Sequence, residues 1–86
     1  MTTTNANATR RPRLRERLHT EMRTLRAQGL GNGFLRGFAW AEARMMKTAY
    51  LRAELERLDR HFADPDLALI REEVQHILTI RAERSA

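Results

Sequence analysis

The chain of 86 residues has no cysteine. Disulfide staples and thiolate metal sites are therefore both excluded as sources of stability. Ser85 is the only serine, so no serine-based catalytic triad can be assembled from the body of the chain. Proline occurs twice and glycine four times, and neither type falls between residues 38 and 64. No apolar run approaches the roughly 18 residues of a membrane-spanning helix. The opening "MTTTNANATRR" lacks the apolar centre of a signal peptide. These absences predict a cytoplasmic protein that needs neither membrane nor cofactor.

Arginine is what the chain has in abundance. The net charge is +5, and its placement matters more than its size. Residues 10–28 hold Arg10, Arg11, Arg13, Arg15, Arg17, Arg23 and Arg26 against Glu16 and Glu21. From residue 29 onward, nine basic groups face nine acids and cancel. The whole excess sits in one segment, as expected of a surface that meets a polyanion.

The apolar pattern is helical throughout and predicts an all-α fold. Residues 1–11 are small, polar and basic and read as a disordered tail ahead of a single helical domain over 12–86. Leu14, Leu18, Met22 and Leu25 make one narrow stripe on a first helix over about 12–28, opening at Pro12 and stopping at Gly29. A last helix over about 65–82 starts with Asp64 as N-cap, Pro65 in the first turn and Asp66 beside it. Its apolar face is Leu67, Ile70, Val74, Ile77 and Leu78, widened by Leu69 and Ile80.

Between them, helix formers predict one long central helix over about 34–62. Its two apolar faces are staggered along its length. Leu35, Phe38, Ala39, Met45, Met46, Ala49, Tyr50 and Ala53 share one face; Leu51, Leu55, Leu58 and Phe62, with Trp40, share nearly the opposite one. A single helix with two such faces needs two sets of neighbours. The three-helix arrangement is therefore expected to self-associate through the central helix.

All four glycines lie in "QGLGNGFLRG". A phosphate-binding loop would follow a strand and carry a lysine, and neither is present. The segment reads as a turn: Gly29 caps the first helix in a left-handed conformation, and Asn32 or Gly33 caps the next. Gly37 falls within the next helix, where close approach of another backbone would explain it. Phe34, Phe38 and Trp40 follow within two turns and, with Met45 and Met46, form the candidate partner-binding surface.

Two Glu-x-x-His pairs, Glu16–His19 and Glu73–His76, have the spacing used by di-iron bundles, but the further inward glutamates such a site needs are missing. No metal and no enzymatic activity is expected. The turn and the long central helix do not match a helix-turn-helix. The basic first helix has too thin a stripe, without aromatics, to lie on a membrane. The sequence thus predicts a small regulatory protein that binds nucleic acid through Arg10, Arg11, Arg13, Arg15, Arg17, Arg23 and Arg26. The competing reading is an adaptor or inhibitor that docks an acidic protein through the first helix and the Phe34, Phe38 and Trp40 cluster.

Overall fold

The structure is a computed structural model and describes residues 13–60 and 63–85. The expected tail, with Arg10, Arg11 and Pro12, lies outside the described residues, as do His61 and Phe62. The described residues are all-helical, as expected, but form four helices: α1 Leu14–Ala27, α2 Asn32–Ala43, α3 Thr48–Leu58 and α4 Pro65–Ser85.

The predicted central helix is two helices. Arg44 stays near helical geometry, while Met45 and Met46 donate to the carbonyls of Glu42 and Ala43, three residues back. Lys47 is then extended (φ −70°, ψ 150°), and its carbonyl accepts the first bond of α3 from Leu51. No proline or glycine causes this break. It resolves the conflict between the two staggered faces, because a change of direction lets both reach one core. Leu35, Ala39 and Ala43 of α2 and Leu51 and Leu58 of α3 are all buried together with Leu14, Leu18 and Met22 of α1. The reason for expecting a second copy of the chain disappears with that convergence.

The organising element is also different from the expected one. α4 has 21 residues and packs against all three other helices, most extensively α2. It contributes Leu69, Ile70, Val74 and Ile77 to the core, so its broad apolar stripe is explained by three neighbours. Pairing along the chain fixes direction. Arg36 meets Glu72 and Glu73, Trp40 meets His76, and the backbone of Arg44 meets Arg81, so α2 and α4 run parallel. Arg71 pairs with Asp59 and Arg81 with Thr48, so α3 and α4 run antiparallel.

The turn after α1 follows the predicted chemistry. Gly29 has φ +94°, the one positive φ among the described residues. Its N–H donates to the Arg26 carbonyl (2.9 Å) and the Leu30 N–H reaches back to Leu25 (3.2 Å), which is the double bond of a Schellman stop. The cap of α2 is Gly31, rather than Asn32 or Gly33. Gly37 meets no other backbone: a Cβ there would touch nothing within 4 Å.

α4 is capped as expected. Asp64 Oδ1 accepts the backbone N–H of Asp66 (2.9 Å) and of Leu67 (3.1 Å), and its carbonyl accepts from Ala68. Asp64 Oδ2 lies 3.1 Å from His19 Nε2 of α1. Desolvation pushes the Asp64 carboxyl up, but the Leu67 N–H, the His19 charge and the Asp66 N–H outweigh it and hold the pKa below its ordinary value.

The N-terminus of α1 is capped from another helix. Pro12 is not followed by a Ser, Asp or Asn cap, and Arg13 is extended. The Arg13 N–H donates to Glu16 Oε1 of its own first turn (3.2 Å). The Leu14 N–H donates to the Tyr50 hydroxyl of α3 (2.8 Å), and the Arg15 N–H points at Glu54 Oε1 of α3 (3.4 Å). Glu54 is fully buried. Its charge is met by Arg15 Nη1 at 3.1 and 2.9 Å and by Arg57 Nη1 at 3.2 Å. Among the described residues no buried side-chain polar atom lacks a partner.

Three stability measurements test this account. Arg15→Ala leaves the buried Glu54 carboxylate with Arg57 alone as its charge partner among the described residues and is expected to cost about 3 kcal/mol in urea melts, whereas Arg23→Ala, at an exposed position, stays within about 0.5 kcal/mol. Equal effects of the two would remove the special role of Glu54. Asp64→Ala is expected to cost about 1 kcal/mol at neutral pH. Because the folded pKa of Asp64 is depressed, its contribution is complete above the ordinary value of 3.8 and is lost as pH falls through the lower folded value. The variant's deficit therefore shrinks in acid, and a deficit constant down to the acid transition would contradict the assignment. Finally, Gly29→Val is expected to destabilise by about 2 kcal/mol, while Gly37→Ala stabilises by about 0.5–1 kcal/mol. A destabilised Gly37→Ala chain would show that something does approach that face.

Candidate functional site

The structure divides the seven arginines of the N-terminal segment into three groups. Arg15 is bound to Glu54, Arg17 to Glu42 of α2 at 2.5 Å, and Arg26 to Asp66 of α4 at 2.5 Å. These three hold α1 to the other helices, so the segment does not present one arginine face to a partner. Arg13 and Arg23 have no carboxylate partner among the described residues. Arg10 and Arg11 lie outside the described residues.

The same division applies to the proposed partner-binding surface. Phe34 is 54% exposed and Met45 79%. Phe38, Trp40 and Met46 pack against the core instead. The expected cluster is thus two exposed side chains on α2 and at its end, with three others serving as packing.

A second collection of arginines emerges at one end of the bundle. The first turn of α1 lies there, tied to Tyr50 and Glu42. So do the end of α2, the start of α3 and the end of α4, joined by Arg81, whose Nη1 donates to Thr48 Oγ1 (3.0 Å) and whose Nη2 donates to the Arg44 carbonyl (2.9 Å). Between α2 and α4 at this end is a groove of about 380 Å³ lined by Trp40, Arg44, Ile77, Ile80, Arg81 and Arg84. None of its three arginines has a carboxylate partner among the described residues. Lys47, ahead of α3, is exposed, and Glu83 on the last turn of α4 adds one negative charge between Arg81 and Arg84 in sequence.

At the opposite end the aspartates are paired. Asp59, Asp64 and Asp66 face Arg71, His19 and Arg26 there. Along the α2–α4 seam, the hydrogen bond to Glu72, with smaller contributions from its charge and from Glu73, raises the Arg36 pKa further. Arg44, Arg81 and Arg84 at the α1-start end have no carboxylate partner among the described residues, and neither do the exposed Arg23, Arg52 and Arg60 elsewhere on the bundle.

Neither Glu-x-x-His pair assembles. Glu16 holds the Arg13 N–H and His19 pairs with Asp64; Glu73 pairs with Arg36 and His76 packs on the Trp40 ring with centroids 5.1 Å apart. His19, Asp64 and Asp66 do converge, with one ligand atom each within 4.8 Å. Each is already engaged, in the cap of α4 or with the Arg26 guanidinium, and a metal ion would have to displace a cation.

The groove was hidden in the sequence because its arginines come from two helices within the charge-balanced part of the chain. The available signal was the regular offset between α2 and α4, which sets residues 36, 40 and 44 beside 72, 76 and 81. No helix among the described residues is long and apolar enough to cross a membrane. No protein-family model, curated protein or solved structure matches this chain.

Proposed function

We propose that this is a non-enzymatic nucleic-acid-binding protein that meets the phosphate backbone with the basic end of its bundle. The observation that carries the reading is the set of guanidiniums without carboxylate partners, Arg44, Arg81 and Arg84, at the end where α1 begins. Arg10 and Arg11, which precede α1 in the sequence, are assigned to the same polyanion in this reading. Arg44 and Arg84, whose side chains have no partner among the described residues, are available for bidentate phosphate contacts, and Arg81, held by Thr48 and the Arg44 carbonyl, has further N–H groups to offer. Arg15, Arg17 and Arg26 are reassigned from binding to structure.

An adaptor role toward an acidic protein is the second reading, supported by the exposed Phe34 and Met45. Large exposed side chains of this kind serve as interface anchors. The same two residues are what remains in favour of self-association, and sedimentation at micromolar concentration decides it.

Mobility shifts with duplex and single-stranded DNA across a salt series test the main reading. Binding through about five phosphate contacts gives a log–log salt slope near −4 to −5 on duplex and about −3 to −4 on a single strand. Arg10→Gln with Arg11→Gln is expected to lower the slope by between one and two units, while Arg52→Gln with Arg60→Gln leaves it nearly unchanged. Absence of binding at low salt would end this reading in favour of the adaptor.

A further inference from the structure

The groove has a shape and a chemistry that a uniform charged surface does not need. Its charge comes from Arg44, Arg81 and Arg84, but its remaining walls are Trp40, Ile77 and Ile80. Arg81 is fixed by two hydrogen bonds, to Thr48 and to the Arg44 carbonyl, so one guanidinium is held in place before any ligand arrives. The Trp40 ring is held by His76 at an interplanar angle of 52°. A volume of about 380 Å³ lies at the small end of ligand pockets, about 300–1,000 Å³.

We infer that this groove takes one unpaired nucleotide of a single strand, its base against Trp40, Ile77 and Ile80 and its phosphates on Arg44, Arg81 and Arg84. The inference rests on the nucleic-acid reading and narrows it to the single-stranded form. A nucleotide is a flat, weakly polar ring joined to an anion, and the groove pairs an aromatic and aliphatic wall with guanidiniums in the same way. A duplex keeps its bases stacked on one another and offers a concave apolar wall nothing to pack against. Unpaired bases splay out and stack on aromatic and guanidinium planes. Stacking of this kind is tolerant of sequence, because every base has a π-face. The groove would therefore select strandedness rather than a base sequence.

Trp40 is the only tryptophan, so its emission reports occupation of the groove without a label. The full chain is titrated at low salt with a short deoxythymidine oligomer and with a duplex of equal phosphate count. The single strand is expected to quench Trp40 and to bind about ten-fold more tightly than the duplex. Ile80→Glu, at a half-exposed wall position, and Arg84→Gln, at an exposed one, are each expected to weaken the oligomer about five- to ten-fold while leaving helicity unchanged. Mobility-shift binding that leaves Trp40 emission and both variants unaffected would overturn the groove assignment while the general nucleic-acid reading stands. Absence of nucleic-acid binding by either measurement would remove both. Equal quenching by polyglutamate of the same charge would also overturn the inference and assign the groove to acidic peptides.

Discussion

The fold depends on satisfying one buried carboxylate. Glu54 lies in the interior with no exposed surface, and an isolated charge there would oppose folding by several kcal/mol. It is tolerated because the chain brings it to the start of α1, where backbone N–H groups and the positive end of the helix dipole are already looking for an acceptor. Arg15 and Arg57 complete its shell. Tyr50, one turn earlier on α3, takes the neighbouring N–H of Leu14. A helix start that its own Glu16 satisfies only in part and a carboxylate without solvent thus remove each other's penalty, and in doing so they fix the contact between α1 and α3.

That contact has consequences beyond two helices. With Glu54 directed at α1, Leu51 and Leu58 on the same side of α3 fall into the core formed by Leu18, Met22, Leu35 and Ile70. α3 could not reach that position as a straight continuation of α2, because the buried Leu35, Ala39 and Ala43 and the buried Leu51 and Leu58 would point to different sides of one helix. The break at residues 44–47 is therefore a product of core formation. It uses no residue that disfavours helix; burial and the Glu54 contact outweigh the local preference for continuing.

This explains which parts of the fold were legible in the sequence. The ends governed by local chemistry were readable: Gly29 as the stop of α1 and Asp64 as the cap of α4 follow from backbone geometry and short-range hydrogen bonds. The core stripes of α1 and α4 were readable from periodicity. The break after Ala43 was not, because no local residue encodes it, although its symptom, a helix with two faces, was visible. That symptom led to the expectation of a second chain, whereas the bend already brings Leu35, Ala39, Ala43, Leu51 and Leu58 into one core within a single chain. Of the candidate site, the arginine-rich composition was legible but its use was not. Arg15, Arg17 and Arg26 look like their neighbours Arg13 and Arg23 in sequence, and only their partners on α2, α3 and α4 distinguish them.

Net charge along a sequence is therefore a poor map of charge available to a ligand. The segment with an excess of five positive charges spends three of its arginines on acids from the balanced remainder. Glu42, two residues from Arg44, is taken by Arg17 in this way, and Arg44, Arg81 and Arg84 around the groove have no carboxylate partner among the described residues. Pairing across helices thus neutralises three arginines of α1. The parallel run of α2 and α4 finishes the arrangement, since it delivers the last turns of both helices, with their unsatisfied carbonyls, to the same place. Carbonyls at a helix C-terminus favour cations, and the Arg44 carbonyl holding Arg81 is that preference expressed in a single bond. The lining of the groove holds three arginines and no carboxylate because two helix ends that carry arginine meet there.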